Sequence, residues 1–582
     1  MIKPETKLLE HLNFLYGENN APIIYAKLIA LLKQFKQDHP NLVKLDKKET
    51  INEKDIILIT YGDMVRDEGK KPLKTLGRVL KEYLVGLINT VHILPFYPFS
   101  SDDGFAVIDY RHVNPDFGSW SDISHLNQVF RLMFDAVINH CSTQSAMFQG
   151  FLRCDPDKAN FFTTVESDTD LSKVFRPRAT PVVTPFMTND GEKLVWTTFS
   201  ADQVDLNFKN PDVLIEMIDI ILFYVLHGAE FIRFDAVTYV WKELGTNCIN
   251  LPQTHRFVQL MRTVLDLVAA NVVIITETNI PHKDNIAYFG DGTNEAQLVY
   301  NFALPLLTLH SFISGNINFL SDWAETLDLP SHQTTFFNFL ACHDGIGMLP
   351  VKGILPESEV EKVVQLVKAR GGFISYKSNE DGTKSPYELN INFLDAICTS
   401  DSIEKNKELA AKRFLASHAI MLSLRGVPGI YFHSLFGSRN WREGVVQTGR
   451  YRTINRQKLN INDLIAELSD ANSIRHIIFK GFSRLLKIRR EDSAFHPFGK
   501  QKILHIHPSV FSLIRISPHK NSKILCLHNI GGQSIELAIE LQSFGIDNNS
   551  TFKCILTNAI ISPIKGFLKL KIKPYEILWL KY

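Results

Sequence analysis

The sequence predicts an α/β fold for its main part, followed by a separate antiparallel β domain. Three observations carry this. Short, wholly apolar runs of buried-strand type recur along the first two thirds of the chain. Stretches with helical apolar spacing follow most of them, and that alternation is the mark of a parallel sheet. After about residue 496 the pattern changes to short alternating strands. With 582 residues the chain is too long for one compact core, and two to four domains are expected.

In chain order, residues 1–54 read as an N-terminal helical segment, with Leu8, Leu9, Leu12 and Leu15, then Ile24, Leu28, Leu31 and Leu32 at helical spacing. Residues 55–495 form the main domain, with strands predicted at 55–61, 90–96, 132–138, 231–235, 272–277 and 336–340. Clear helical patterns cover 214–226 and 254–268. Two stretches, about 145–205 and about 350–395, break the rhythm with turn residues and read as irregular functional insertions. Residues 496–582 form the β domain, with strands predicted at 510–516, 523–529, 534–539 and 576–580.

Composition removes several classes of function. Basic and acidic side chains number 63 and 62, a formal charge of +1, so neither nucleic acid nor an anionic membrane is an expected partner. No apolar run reaches the roughly 18 residues that span a bilayer. The N-terminal residues lack the apolar run and cleavage site of a secretory signal, which gives the expectation of a cytoplasmic protein. The seven cysteines are odd in number and scattered without CxxC spacing, as suits buried free thiols in a reducing compartment. Neither a P-loop nor a GxGxxG run occurs, and His92, His112 and His282 fit no ligand spacing, so no cofactor and no metal is expected. Aromatic residues, 11% of the chain, serve core packing or the stacking of sugar rings, and composition does not separate the two.

Three acidic residues stand at or beyond the ends of buried strands: Asp235 ends FIRFD, Glu277 ends VVIITE, and Asp344 follows FNFLACH. A charge beside an apolar strand is costly unless it is paired or faces a polar cleft. Taken singly, an Asp at a strand end is more often a turn or capping residue. Carboxylates from several strands at one barrel mouth would converge. A retaining glycosyl transfer needs such a set: a carboxylate nucleophile and a second carboxyl as acid/base, about 5–5.5 Å apart. The acid must hold its proton and the nucleophile must stay ionised. Arg233, two residues before Asp235, shares its strand face and would keep it charged; the alternative is a plain rim salt bridge.

These residues resemble those of the α-amylase superfamily, glycoside hydrolase family 13. Asp135 to His140, Arg233-Phe-Asp235, Glu277-Thr-Asn and His343-Asp344 match four motifs of that family in order, and Gln203 to Asn207 resembles a fifth. Tyr61-Gly-Asp63, the run 91–99, His343 to Gly347 and Gly449 to Arg456 are similar to the sucrose phosphorylase group. The segments 276–290, 375–377 and 385–390 look more like glucosylglycerate phosphorylases. The resemblance implies a TIM (β/α)8 barrel with inserted loop subdomains and a C-terminal antiparallel β domain. It implies Asp235 as nucleophile, Glu277 as acid/base and Asp344 as stabiliser of the transition state. It also implies that Asp63 and Arg452, chosen over Arg456, grip the glucose, with Tyr110, His140, Arg233 and His343 in further binding roles.

The implied reaction transfers glucosyl from a small α-glucoside to inorganic phosphate, a co-substrate, giving α-glucose 1-phosphate with retention. Glucosylglycerate is the favoured donor. Sucrose or its 6-phosphate, a hydrolase or transglucosidase, and a non-catalytic carbohydrate-binding protein stay open. Lys352, Lys377, Arg439 and Arg442 are candidates for holding phosphate, each weighed against being a solvated surface charge. Phe96, Tyr97 and Phe105 either wall the sugar site or pack the core.

Overall fold

Eight parallel strands close into a barrel: β1 Ile57–Thr60, β2 Thr90–Ile93, β3 Arg131–Val137, β4 Ala229–Asp235, β5 Val273–Thr276, β6 Leu298–Tyr300, β7 Thr335–Asn338 and β8 Val427–Tyr431. Each pairs with its sequence neighbours, and β8 closes on β1 through Ile57↔Gly429 and Leu58↔Ile430. This computed structural model describes residues 4–43, 51–379 and 381–582. The parts of the predicted helical segment at 1–3 and 44–50 lie outside the described residues, as does residue 380 of the second insertion.

The barrel strands are short and apolar because helices cover them outside and side chains fill them inside. The sequence pattern located six of them. β6 is three residues long and runs almost directly into the helix Ala303–Ser314, so no strand period develops. β8 reads VPGIY, and its proline and glycine are strand-breaking signals. Gly429 is required there, since a Cβ would fall 2.2 Å from Cζ of Phe337 on β7. Helix starts follow local chemistry: Pro211 opens Pro211–Leu226 behind an Asn210 side-chain cap, and Ser119 and Asp122 form a capping box before Trp120–Asn127.

The N-terminal helices Pro4–Tyr16 and Ala21–Asp38 lie against the barrel's outer layer. Tyr16 donates its hydroxyl to the Phe208 carbonyl at 2.9 Å, and His11 Nε2 lies 3.2 Å from Thr263 Oγ1 on the helix Pro252–Val268.

Both insertions are more ordered than their composition suggests. The first carries the helix Ala146–Leu152 and a sheet of Thr164–Val165, Val183–Thr188 and Gly191–Trp196. Its last strand, Gln203–Asp205, pairs with His140–Ser142 just beyond β3. The second carries the helix Glu357–Ala369 and a hairpin of Phe373–Ser378 and Lys384–Asn390, with Ile346–Gly347 as a third strand. The C-terminal region holds a six-stranded antiparallel sheet and a two-stranded one, joined to the barrel domain by a continuous apolar core. Buried Arg515 crosses the junction, donating to the Ser423 carbonyl at 2.9 Å.

Candidate active site

The centre of the site is a charged layer inside an apolar barrel. Arg233 on β4 and Asp135 on β3 are register partners, and both are buried. One guanidinium nitrogen of Arg233 serves both Asp135 and Asp235, the latter at 2.8 Å. His92 on β2 donates from Nε2 to the other Asp135 oxygen at 2.6 Å. Arg233 stands 3.9 Å from Glu277, and its guanidinium carbon lies 5.6 Å from the centre of the Tyr300 ring. Burial of these charges is tolerated because each is paired and hydrogen-bonded.

Asp235 is the last residue of β4, and Glu277 follows β5 directly. Between them Ala236 takes the left-handed conformation (φ 49°), which a non-glycine residue adopts at a cost of about 1–3 kcal/mol. That turn aims the Ala236 N–H at Glu277 Oε2, 3.0 Å away. Burial, then repulsion from Asp344, raises Glu277 above the usual carboxylate range, against the pull of Arg233. Burial, then repulsion from Glu277, raises Asp235 as well, and Arg233 opposes it. The two titrate as a pair. Arg233 lies nearer to Asp235 than to Glu277, so its charge favours ionised Asp235 more strongly than ionised Glu277.

Asp344 lies in the loop after β7. Burial works against its charge, but the guanidinium groups of Arg452 and Arg456 hold it well below the usual range. Arg452 Nη1 is 2.5 Å from Asp344 Oδ1, and Arg456 Nη2 is 3.5 Å from the same atom. His343 stacks on Phe105 with ring centres 4.8 Å apart, and burial keeps its imidazole neutral. His140 is also held neutral by burial and donates from Nε2 to the Phe105 carbonyl at 3.0 Å.

One cavity of about 60 Å³ is lined by Asp235, Glu277, Asp344, His140, His343 and Arg452 together. Arg233 lies directly beneath it, through its contact with Asp235. A wider cavity of about 280 Å³ shares Asp102, Arg178, Phe199, Gln203 and Arg452 with the first. Phe105 belongs to the lining, whereas Phe96 and Tyr97 pack among Trp120, Phe134 and Tyr224 in the barrel.

Two predicted binding residues are placed elsewhere. Asp63 is buried against Lys458 Nζ at 2.6 Å and Arg66 Nη2 at 2.8 Å, and this tie docks the Leu459–Asn460 strand beside Val65–Arg66. Besides Asp235, Glu277 and Asp344, the acidic side chain in the pocket lining is Asp102. It and Asp103 both take left-handed backbone (φ 53° and 50°), and Arg456 pairs with Asp103 at 2.7 Å. Tyr110 spends its hydroxyl on the Val137 and His140 carbonyls, each 3.0 Å away, so it braces the β3 loop from behind. Of the two arginines weighed, Arg452 lines the inner pocket, while Arg456 is 2% exposed behind Asp344.

Among the described residues, none of Lys352, Lys377, Arg439 and Arg442 lines the pocket. Arg439 pairs with Asp395 at 2.7 Å, and Arg442 lies over the Phe373 ring. Arg178, which the sequence did not single out, lines both cavities. Among the described residues it has no carboxylate in ion-pair range, and it lies 5.6 and 5.7 Å from the Phe199 and Tyr387 rings. It stands in an aperiodic stretch of the first insertion, where only the Arg-Pro-Arg run offered a signal.

The first insertion is fixed to the barrel by a buried polar cluster. Lys242 Nζ reaches Asp205 and the Asn139 side-chain oxygen, each at 2.7 Å, and Asn139 donates to Asp205 at 2.9 Å. Cys342, His343 and Asp344 bring three possible metal-ligand atoms within 4.8 Å of one another. Arg452 and Arg456 already occupy the Asp344 oxygen that faces them, which disfavours a second cation. Among the described residues, no helix is long and apolar enough to cross a membrane.

Comparison with known proteins agrees with this geometry. The model of the α-amylase catalytic domain matches residues 80–346. A glucosylglycerate phosphorylase of Spirochaeta thermophila is 48% identical over 585 residues, covering 100% of this chain and 99% of that protein. A glucosylglycerate phosphorylase of Escherichia coli is 41% identical over 576 residues, covering 99% of this chain and 100% of its own. Among solved structures, a sucrose 6F-phosphate phosphorylase from Thermoanaerobacter thermosaccharolyticum superposes with a TM-score of 0.71 at 24% identity, over 89% of this chain and 98% of that one, and so shares the fold. The chain belongs to the α-amylase family, glycoside hydrolase family 13, in the sucrose phosphorylase-like group that includes the glucosylglycerate phosphorylases.

Proposed function

We propose that the chain is a retaining α-glucoside phosphorylase that transfers glucosyl from glucosylglycerate to inorganic phosphate. The observation that carries this is the pocket itself: Asp235 paired with Arg233, Glu277 raised by burial and Asp344 held charged, with Arg178 in the lining and, among the described residues, no carboxylate in ion-pair range of it. The name carried by relatives that align over the full chain supplies the donor.

Glu277 gives its proton to the leaving oxygen while Asp235 attacks the anomeric carbon, forming a glucosyl-enzyme and releasing glycerate. Phosphate then enters, Glu277 now acts as base, and phosphate oxygen displaces Asp235 to give α-glucose 1-phosphate with retention. Asp344 and the neutral His343 and His140 act on the ring and its hydroxyls as positive charge develops at the anomeric carbon. Glycerate and phosphate are both anions, and Arg178 offers each a planar fork of donors at the acceptor end. Arg452 and Asp102 close the glucose end. This reaction calls for no metal and no cofactor. Seven free thiols, all but Cys154 buried, suit a cytoplasmic setting.

The test is product analysis with glucosylglycerate, with and without phosphate. Glucose 1-phosphate formed only when phosphate is present supports the reading. Free glucose formed at the same rate without phosphate overturns it in favour of a hydrolase.

A further inference from the structure

Arg452, in the pocket lining beside Asp344, is held by a part of the chain outside the barrel. Its Nε and Nη2 donate to the two carboxylate oxygens of Glu388, at 3.1 and 2.9 Å, while Nη1 reaches Asp344 at 2.5 Å. Glu388 lies on the second strand of the inserted hairpin and is 1% exposed. The same carboxylate accepts the N–H of Gly345, the residue after Asp344, at 2.9 Å. Register pairs Gly347 with Glu388 and Ile346 with Leu389, so the chain leaving Asp344 is itself a strand of the hairpin sheet. A Cβ on Gly345 would fall 2.5 Å from the Leu389 carbonyl oxygen and 2.6 Å from Glu388 Cγ, so glycine permits the approach.

A guanidinium gripped at two N–H groups by one carboxylate has its plane fixed. The remaining nitrogen then has one direction, here toward Asp344. Glu388 also pins the peptide that follows Asp344, so this carboxylate is positioned from both sides. No carboxylate on the barrel strands duplicates this hold among the described residues. We infer that Glu388 is a positioning residue for glucosyl transfer: it aligns Arg452 and Asp344, and makes the inserted hairpin part of the glucose-binding geometry. This rests on the glucosyl-transfer reading of the pocket.

The test uses α-glucosyl fluoride, a donor whose turnover does not depend on glycerate recognition. Glu388→Gln keeps the volume and an acceptor for Gly345 but removes the second anionic oxygen. It should lower kcat by about 100-fold, the scale of a misplaced reacting group, with thermal unfolding unchanged within a few degrees. In an Arg452→Gln background the same change should cost less than about threefold, because the two residues act as one unit. Equal losses in both backgrounds, or a Glu388→Gln variant as active as the parent, overturn the inference. If Glu388→Gln does not fold, Glu388→Asp, which withdraws the charge by one methylene, carries the same two-background comparison. A parent enzyme inert toward the fluoride overturns the reading of the pocket, and the inference with it.

Discussion

Arg233 lies 2.8 Å from Asp235 and 3.9 Å from Glu277, so one buried guanidinium reaches two neighbouring carboxyl groups unequally and favours the charge of Asp235 over that of Glu277. Asp135 and His92 fix that guanidinium from below. The chemistry is therefore set by a stack of barrel-interior groups whose positions follow from strand register.

The first prediction tests that assignment. Asp235→Asn and Glu277→Gln should each lower kcat by about a thousandfold or more, since each removes a covalent or proton-transfer role. Both should fold, as circular dichroism and thermal unfolding would show. Loss of activity together with loss of fold would mark the carboxylates as structural.

A second prediction concerns stability against pH. Glu277 has a raised folded pKa, so the folded state binds more protons than the unfolded chain above the ordinary carboxylate range of about 4. Its contribution is therefore favourable at low pH and is lost as pH rises through the folded value. Glu277→Gln removes this penalty. The variant should gain in denaturant midpoint over the parent as pH increases from about 4.5 to 8. Parallel midpoint curves would contradict it.

Asp102 and Asp63 give a third. Asp102→Asn should cut kcat/KM for glucose 1-phosphate synthesis or phosphorolysis by about 100-fold, as loss of a charge-assisted contact made at the sugar does. Asp63→Asn should cost less than about fivefold, because its partners are Lys458 and Arg66 and not substrate. A reversed order in steady-state kinetics would restore Asp63 to the pocket.

Lys242 supplies the fourth. Lys242→Met leaves Asp205 buried without its cation, a change that costs about 3–5 kcal/mol. The loss should appear as a lower urea midpoint. Proteolysis should fall first within 145–205, because that cluster anchors the insertion.

What the sequence made legible follows from physical range. Asp235, Glu277 and Arg233 were readable because strand period and strand end are local properties, and each lies within a residue of its strand's end or on its inward face. Asp344 was readable from the HD pair after an apolar run. Asp63 was read as a sugar ligand from the resemblance of Tyr61-Gly-Asp63 to the sucrose phosphorylase group. Only the structure shows Lys458, from the far end of the domain, capturing it. Asp102 was hidden in a Ser-Ser-Asp-Asp-Gly turn where no period points anywhere. Tyr110 looked like a stacking ring, but two backbone carbonyls hold its phenol. Strands β6 and β8 were missed for opposite reasons, one too short to show a period and the other carrying the two residues that argue most strongly against a strand.

The tie from Lys242 to Asp205 and Asn139 separates two inheritances in the molecule. Asp235, Glu277 and Asp344 come from the ends of barrel strands and the loop after one of them. Arg178 and Tyr387, in the pocket lining, come from the two insertions, each fastened to the barrel domain by its own ion pair. Exchanging either insertion while keeping its anchoring pair would leave glucose handling in place and change the molecule to which glucose is joined. New donors would then arise by altering loops, with the strands untouched.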